Sequence, residues 1–95
     1  MVVIKSKNSI LPDPPEKYKN IAEFYKDMYT SGEILFAYGA KKYIAAYSGD
    51  NLSIAEFNKP DSEQFFALPE EFADKYLIDG VKFKELVTKI DILVR

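Results

Sequence analysis

Residues 33–58 read EILFAYGAKKYIAAYSGDNLSIAEFN, three runs of aromatic, aliphatic and alanine residues separated by Gly39-Ala40-Lys41 and Gly49-Asp50-Asn51. Glycine with Asn or Asp between such runs signals a hairpin, because these residues tolerate the positive φ that tight turns demand. The runs Glu33 to Tyr38, Lys42 to Ser48 and Leu52 to Asn58 are therefore expected to form an antiparallel meander. With two-residue turns at Ala40-Lys41 and Gly49-Asp50, Tyr38 pairs with Tyr43 and Tyr47 with Leu52. Strand alternation then divides the sheet into two faces. One carries Ile34, Phe36, Tyr38, Tyr43, Ala45, Tyr47, Leu52 and Ile54. The other carries Leu35, Ala37, Ile44, Ala46, Ser53, Ala55 and Phe57.

Both faces are largely apolar, whereas an antiparallel sheet with one wet face alternates apolar and polar residues. This sheet asks to be covered on both sides, or to use one side for binding. Alanines let a helix approach closely, so helices are expected on the alanine-rich face, with the aromatic face left partly uncovered. Tyr38, Tyr43 and Tyr47 then become candidate partner-binding residues, since tyrosine combines large contact area with a polar tip. The alternative makes them ordinary core with hydroxyls at its rim, covered by short helices from Pro69 onward or by the N-terminal arm. A one-residue slip in the first turn would regroup both faces.

Upstream, Val2 to Lys5 reads as a short edge strand, and Ser6 to Pro15, with three of the five prolines, as an arm. Asp13-Pro14-Pro15-Glu16 has the pattern of a capping box. Tyr18, Ile21, Ala22, Tyr25, Met28 and Tyr29 then recur at three- and four-residue steps opposite lysines and acids, an amphipathic helix closed by Thr30-Ser31-Gly32. Downstream, Lys59 to Glu63 reads as a loop and Gln64 to Ala67 as a fourth short strand. Pro69 opens a short helix with Glu70 and Glu71 in its first turn, where negative charge suits exposed amides. After Ile78-Asp79-Gly80, the residues Phe83, Leu86, Val87 and Ile90 mark a last helix, and Ile92 to Val94 fits helix or strand equally. The expectation is one α+β domain over residues 1–95: a three- to four-stranded antiparallel meander with an N-terminal amphipathic helix and two short C-terminal helices.

The 95 residues include no His, Cys or Trp. Imidazole and thiol chemistry, disulfides and thiolate zinc sites are thereby excluded. Glu70-Glu71, or Asp61 with Glu63, are the remaining acid–base candidates, but such acids ordinarily form a helix's first turn or a solvated loop. Gly49-Asp50-Asn51 lacks the alternating oxygen ligands of a calcium loop, and no glycine-rich phosphate loop occurs. Asn51-Leu52-Ser53 matches a glycosylation acceptor without secretory context. The expectation is therefore a non-catalytic protein without cofactor or metal. The N-terminal apolar run is too short for a secretory signal and no stretch suits a membrane helix, so a cytoplasmic protein is expected.

Charge is segregated. Lys59 to Asp79 carries six acids against two lysines, a net of −4, while the remaining residues sum to +2. Asp61, Glu63, Glu70, Glu71 and Asp74 are thus candidate contacts for a basic partner protein, acting through a long-range field. An overall charge of −2 with dispersed lysines makes nucleic acid an unlikely partner. Were folding to gather Lys41, Lys42, Lys82 and Lys84, nucleic-acid binding would be the alternative. A third reading is self-association, as a homodimer, across the aromatic sheet face or along an open edge strand.

The helix, three-strand meander, helix order is similar in topology to the double-stranded RNA-binding domain. That family's Lys-Lys-x-Ala-Lys helix start is missing here, where Asp79-Gly80-Val81-Lys82-Phe83-Lys84-Glu85 stands. The related small toxin-nuclease fold needs a histidine that this chain lacks. The hairpin Phe36 to Tyr47, followed by Ile78-Asp79-Gly80 and Phe83-Lys84-Glu85-Leu86, resembles small bacterial α+β domains of unassigned or immunity-protein type. The resemblance covers about half the chain, rests on no functional motif and assigns no site residues; the charge segregation and the lack of catalytic groups carry the expectation of an inhibitor or immunity-like protein that occludes a basic partner.

Overall fold

The computed structural model describes residues 16–95; the edge strand at Val2 to Lys5, the arm that follows it and the cap at Asp13 lie outside the described residues. The first helix, α1 (Ile21–Thr30), starts later than the periodicity suggests, because Asn20 is its cap. Asn20 has extended backbone (φ −162°, ψ 173°) and its side chain accepts from the Glu23 amide at 3.1 Å. Glu23 in turn accepts from the Lys19 amide at 2.7 Å. The two bonds satisfy amides that a helix start leaves without partners. Tyr18 stands ahead of the helix, buried.

The meander is formed by β1 (Glu33–Tyr38), β2 (Lys41–Tyr47) and β3 (Leu52–Glu56). Tyr47 pairs with Leu52 as the alternation predicts. The first hairpin differs: Phe36, not Tyr38, stands opposite Tyr43, and Tyr38 stands opposite Lys41. The turn is Gly39-Ala40 because Gly39 supplies positive φ (63°) at its first position. The shift is by two residues, so every side chain keeps its face. Glycine is required more stringently at Gly32, which closes α1 with φ 78°. A Cβ there would lie 2.9 Å from the Tyr47 carbonyl oxygen. The Gly32 carbonyl itself accepts from the Tyr47 amide at 2.7 Å, joining the helix end to β2.

The expected loop and short strand after the meander form one edge strand, β4 (Lys59–Phe66). Phe57-Asn58 makes the turn, with Asn58 at φ 67°. Glu56 pairs with Lys59 and Leu52 with Phe66, so the register shifts between them. The Ser62 hydroxyl patches this irregularity, accepting from the Glu56 amide at 2.8 Å and donating to the Lys59 carbonyl at 2.6 Å. Pro60 is tolerated because an edge strand does not need its missing amide.

Then follow α2 (Pro69–Lys75), the miniature hairpin β5 (Leu77–Ile78) and β6 (Val81–Lys82), α3 (Phe83–Leu86) and β7 (Asp91–Val94). The last helix stops at Leu86, not Ile90: the Lys89 amide takes the Leu86 carbonyl three residues back at 2.7 Å, a tighter turn than the α-helix, and the Ile90 amide shares that carbonyl at 3.2 Å. The ambiguous tail becomes a fifth strand, antiparallel to β1, with Ile92 opposite Phe36. The sheet order is β4-β3-β2-β1-β7, giving an α+β domain on a five-stranded antiparallel sheet. No described helix is long and apolar enough to cross a membrane.

All three helices among the described residues lie on the aromatic face, which corrects the expectation that they cover the alanines and agrees with the alternative in which helices from Pro69 onward make the tyrosines core and rim. Phe83 sits at the junction, with ring centroids 4.6 Å from Phe72, 4.8 Å from Phe24 and 5.5 Å from Phe36. Phe36 stacks on Tyr43 at 5.1 Å and Phe66 meets Phe72 edge-on at 5.7 Å. Area decides this choice. An aromatic side chain buries roughly 150–250 Å², so apposing large rings from both layers removes far more apolar surface from water than resting helices on alanines. Phe83→Ala should therefore cost about 3–5 kcal/mol in urea unfolding. Gly32→Ala should cost more than Gly39→Ala, which shares the positive φ but has nothing within 4 Å of the added Cβ.

Candidate interaction surface

The face opposite the helices belongs to the alanines. Paired residues share a face, so the register lays it out in three rows. The central row, Ala55–Ile44–Leu35–Val94, crosses β3, β2, β1 and β7. On one side run Phe57, Lys42, Ala37 and Asp91, with the Phe57 amide donating to the Lys42 carbonyl at 2.7 Å. On the other run Phe65, Ser53, Ala46 and Glu33. Ile44, Phe57, Phe65 and Val94 are 39%, 49%, 61% and 61% exposed. Among the described residues no helix packs over them. Ile44 stands between two shallow hollows of about 290 Å³ each. One is lined by Ala55, Phe57, Pro60 and Glu63, the other by Glu33, Leu35, Val94 and Arg95.

The tyrosines expected to make contacts lie on the core side. Tyr43 is 4% exposed, and burial pushes its hydroxyl up to about 12. Tyr38 and Tyr47 are half-buried against the core, and Tyr47 meets Tyr29 edge-on at 5.3 Å. Tyr29 is the exposed one. Its hydroxyl donates to Glu70 at 2.6 Å, and that bond holds its proton up to about 12. Tyr18 is raised further, by burial and then by its 2.7 Å bond to Asp27.

The five acidic candidates do not form one patch. Glu70, Glu71 and Asp74 stand on α2 and are engaged within the protein. Glu71 accepts from the Ala67 amide at 2.8 Å and from Lys75 at 3.2 Å, and these bonds, the amide's first, hold its carboxyl low. Asp74 takes Lys84 at 2.8 Å and Lys82 at 3.8 Å, and the Lys84 bond chiefly lowers its pKa. Asp61 and Glu63 stand apart on β4 and have no ion-pair partner among the described residues. Of the candidate lysines, Lys41 and Lys42 open β2, whereas Lys82 and Lys84 are tied to Asp74. No group of three acidic side chains among the described residues is arranged to hold a metal ion.

Sequence reasoning did not single out Ile44, Leu35, Phe57, Phe65 and Val94. The available signal was polarity: Glu33, Lys42 and Ser53 interrupt the alanine-rich face, while the interior positions of the aromatic face are uniformly apolar. No protein-family model matches the chain, and neither a curated protein nor a solved structure matches it.

The raised phenols give a pH test. The unfolded Tyr43 ionises near pH 10, so its burial contributes stability that is complete below that pH and lost between about 10 and 12. Urea unfolding should show constant stability from about pH 7 to 9 and a decline above 10. Tyr43→Phe should make that decline shallower, leaving the part that Tyr18 and Tyr29 contribute.

Proposed function

We propose that this domain is a non-catalytic protein-binding module whose contact surface is the open sheet face. The observation that carries the reading is the row Ala55–Ile44–Leu35–Val94, apolar across four strands on the side away from the helices. A monomer keeping such a row in water forgoes the burial that the opposite face obtains, and contiguous exposed apolar surface of this kind marks contact sites. The hollows beside Ile44 are open and shallow, suited to area contact with a macromolecule. The partner supplies apolar side chains for the central row and basic groups for Glu33 and for Asp61 and Glu63 at the β3–β4 end. Occlusion of such a partner is how an inhibitor or immunity-like protein works.

Ile44→Asp places a carboxylate in the middle of this contact while leaving the opposite face untouched. Full-length wild type, Glu70→Lys and Ile44→Asp, each immobilised and exposed to lysate of the native host, are compared by quantitative mass spectrometry. A protein retained by the first two should lose affinity for Ile44→Asp by about 100-fold or more. Equal retention on all three removes the sheet face from the account.

A further inference from the structure

Resting on that reading of the sheet face as a protein contact, we infer that its occupant is a second copy of this chain, docked face to face about a two-fold axis running along the central row. Rotation about that line returns Ile44 to Ile44 and Leu35 to Leu35, and it exchanges the two flanking rows. The exchange sets large side chains over small ones on three strands. On β3, Phe57 lies over Ser53 of the partner subunit. On β2, Lys42 lies over Ala46 of the partner subunit. On β1, Ala37 lies under Glu33 of the partner subunit. The polar groups also match. Lys42 and the partner's Glu33 fall on neighbouring strands about 4.8 Å apart across a sheet gap of about 10 Å. Their two long side chains together span that separation, and symmetry makes the pair twice. Neither Glu33 nor Lys42 has an ion-pair partner among the described residues.

One surface thus carries an apolar row on its own symmetry line, with Lys42 on one side, beside an Asp91 that Lys17 already pairs, and Glu33 on the other side at a matching distance. This charge complementarity, together with the large-over-small pattern, fits a copy of the chain, whose Lys42 supplies the basic group that the contact asks for at Glu33. Four strands about 4.8 Å apart and five residues of about 3.4 Å give a footprint of about 330 Å² per subunit. That is well below the roughly 800 Å² per partner of a standard interface, so the dimer is a weak one that gains population toward the upper end of the concentration range. Asp61 and Glu63 remain at the periphery of both subunits.

The test is sedimentation equilibrium of the purified full chain from micromolar to millimolar concentration, with circular dichroism confirming the fold of each variant. Wild type should approach twice the chain mass. Glu33→Lys and Lys42→Glu should each weaken association by about tenfold or more, and the double exchange Glu33→Lys/Lys42→Glu should recover most of the loss. A wild type that stays monomeric to millimolar concentration overturns the dimer, as does a double exchange no stronger than either single variant. The failure is separable from failure of the contact surface itself: a monomeric wild type whose Ile44→Asp variant still loses a retained host protein refutes the second copy alone.

Discussion

The packing of Phe83 against Phe24, Phe36 and Phe72 is the constraint on which the rest of the structure depends. Four rings from α1, β1, α2 and α3 meet within 4.6 to 5.8 Å of one another along the chain of contacts. Each helix is short, α3 being a single turn, and helices of that length have little stability of their own in water. They persist because the rings hold them to the sheet. Since these four rings lie on one side of the sheet, the described residues form two layers, and the reverse of the sheet is left to alanine, serine, a few charged residues and a few larger apolar ones such as Phe57 and Phe65.

The same one-sidedness explains how the chain closes. β7 completes the sheet beside β1, and its end is tied to the start of the described chain: the Ile92 amide donates to the Glu16 carbonyl at 2.8 Å. Arg95 reaches Glu16 at 2.9 Å and Asp27 at 3.3 Å and lies 5.9 Å over the Tyr18 ring. Lys17 pairs with Asp91 at 2.6 Å. Exposed pairs of this kind contribute little energy individually. Their effect is positional: they hold β7 against β1 and so bring Val94 into the apolar row. On the opposite edge, the Ser62 hydroxyl and Pro60 shape β4 into an irregular strand that offers few regular positions for pairing with another edge.

Much of the fold was legible. The hairpins at Gly39 and Gly49 and the end of α1 at Gly32 follow from local turn chemistry, and the division of the sheet into two faces survived a two-residue error in register. β7 was ambiguous because four residues with one strongly buried side chain, Ile92, do not distinguish a period of two from one of 3.6. The α1 start was misplaced because Tyr18 has helical spacing yet is buried from the segment that precedes the helix. The choice of covered face was misread by weighing close approach over alanine above the area that aromatic rings bury. The acidic segment was visible as composition, but not its division into carboxylates used within the protein and two left on the edge strand.

Sequence alone determined which residues share a face, because alternation along a strand is a local geometric property insensitive to even shifts in pairing. It also determined which chemistry is absent, since no fold creates an imidazole or a thiol. Only the tertiary structure decided which face the helices cover and which, among the described residues, has no helix over it. That outcome depends on the summed area of rings contributed by four distant segments, a quantity that no single stretch of the chain contains.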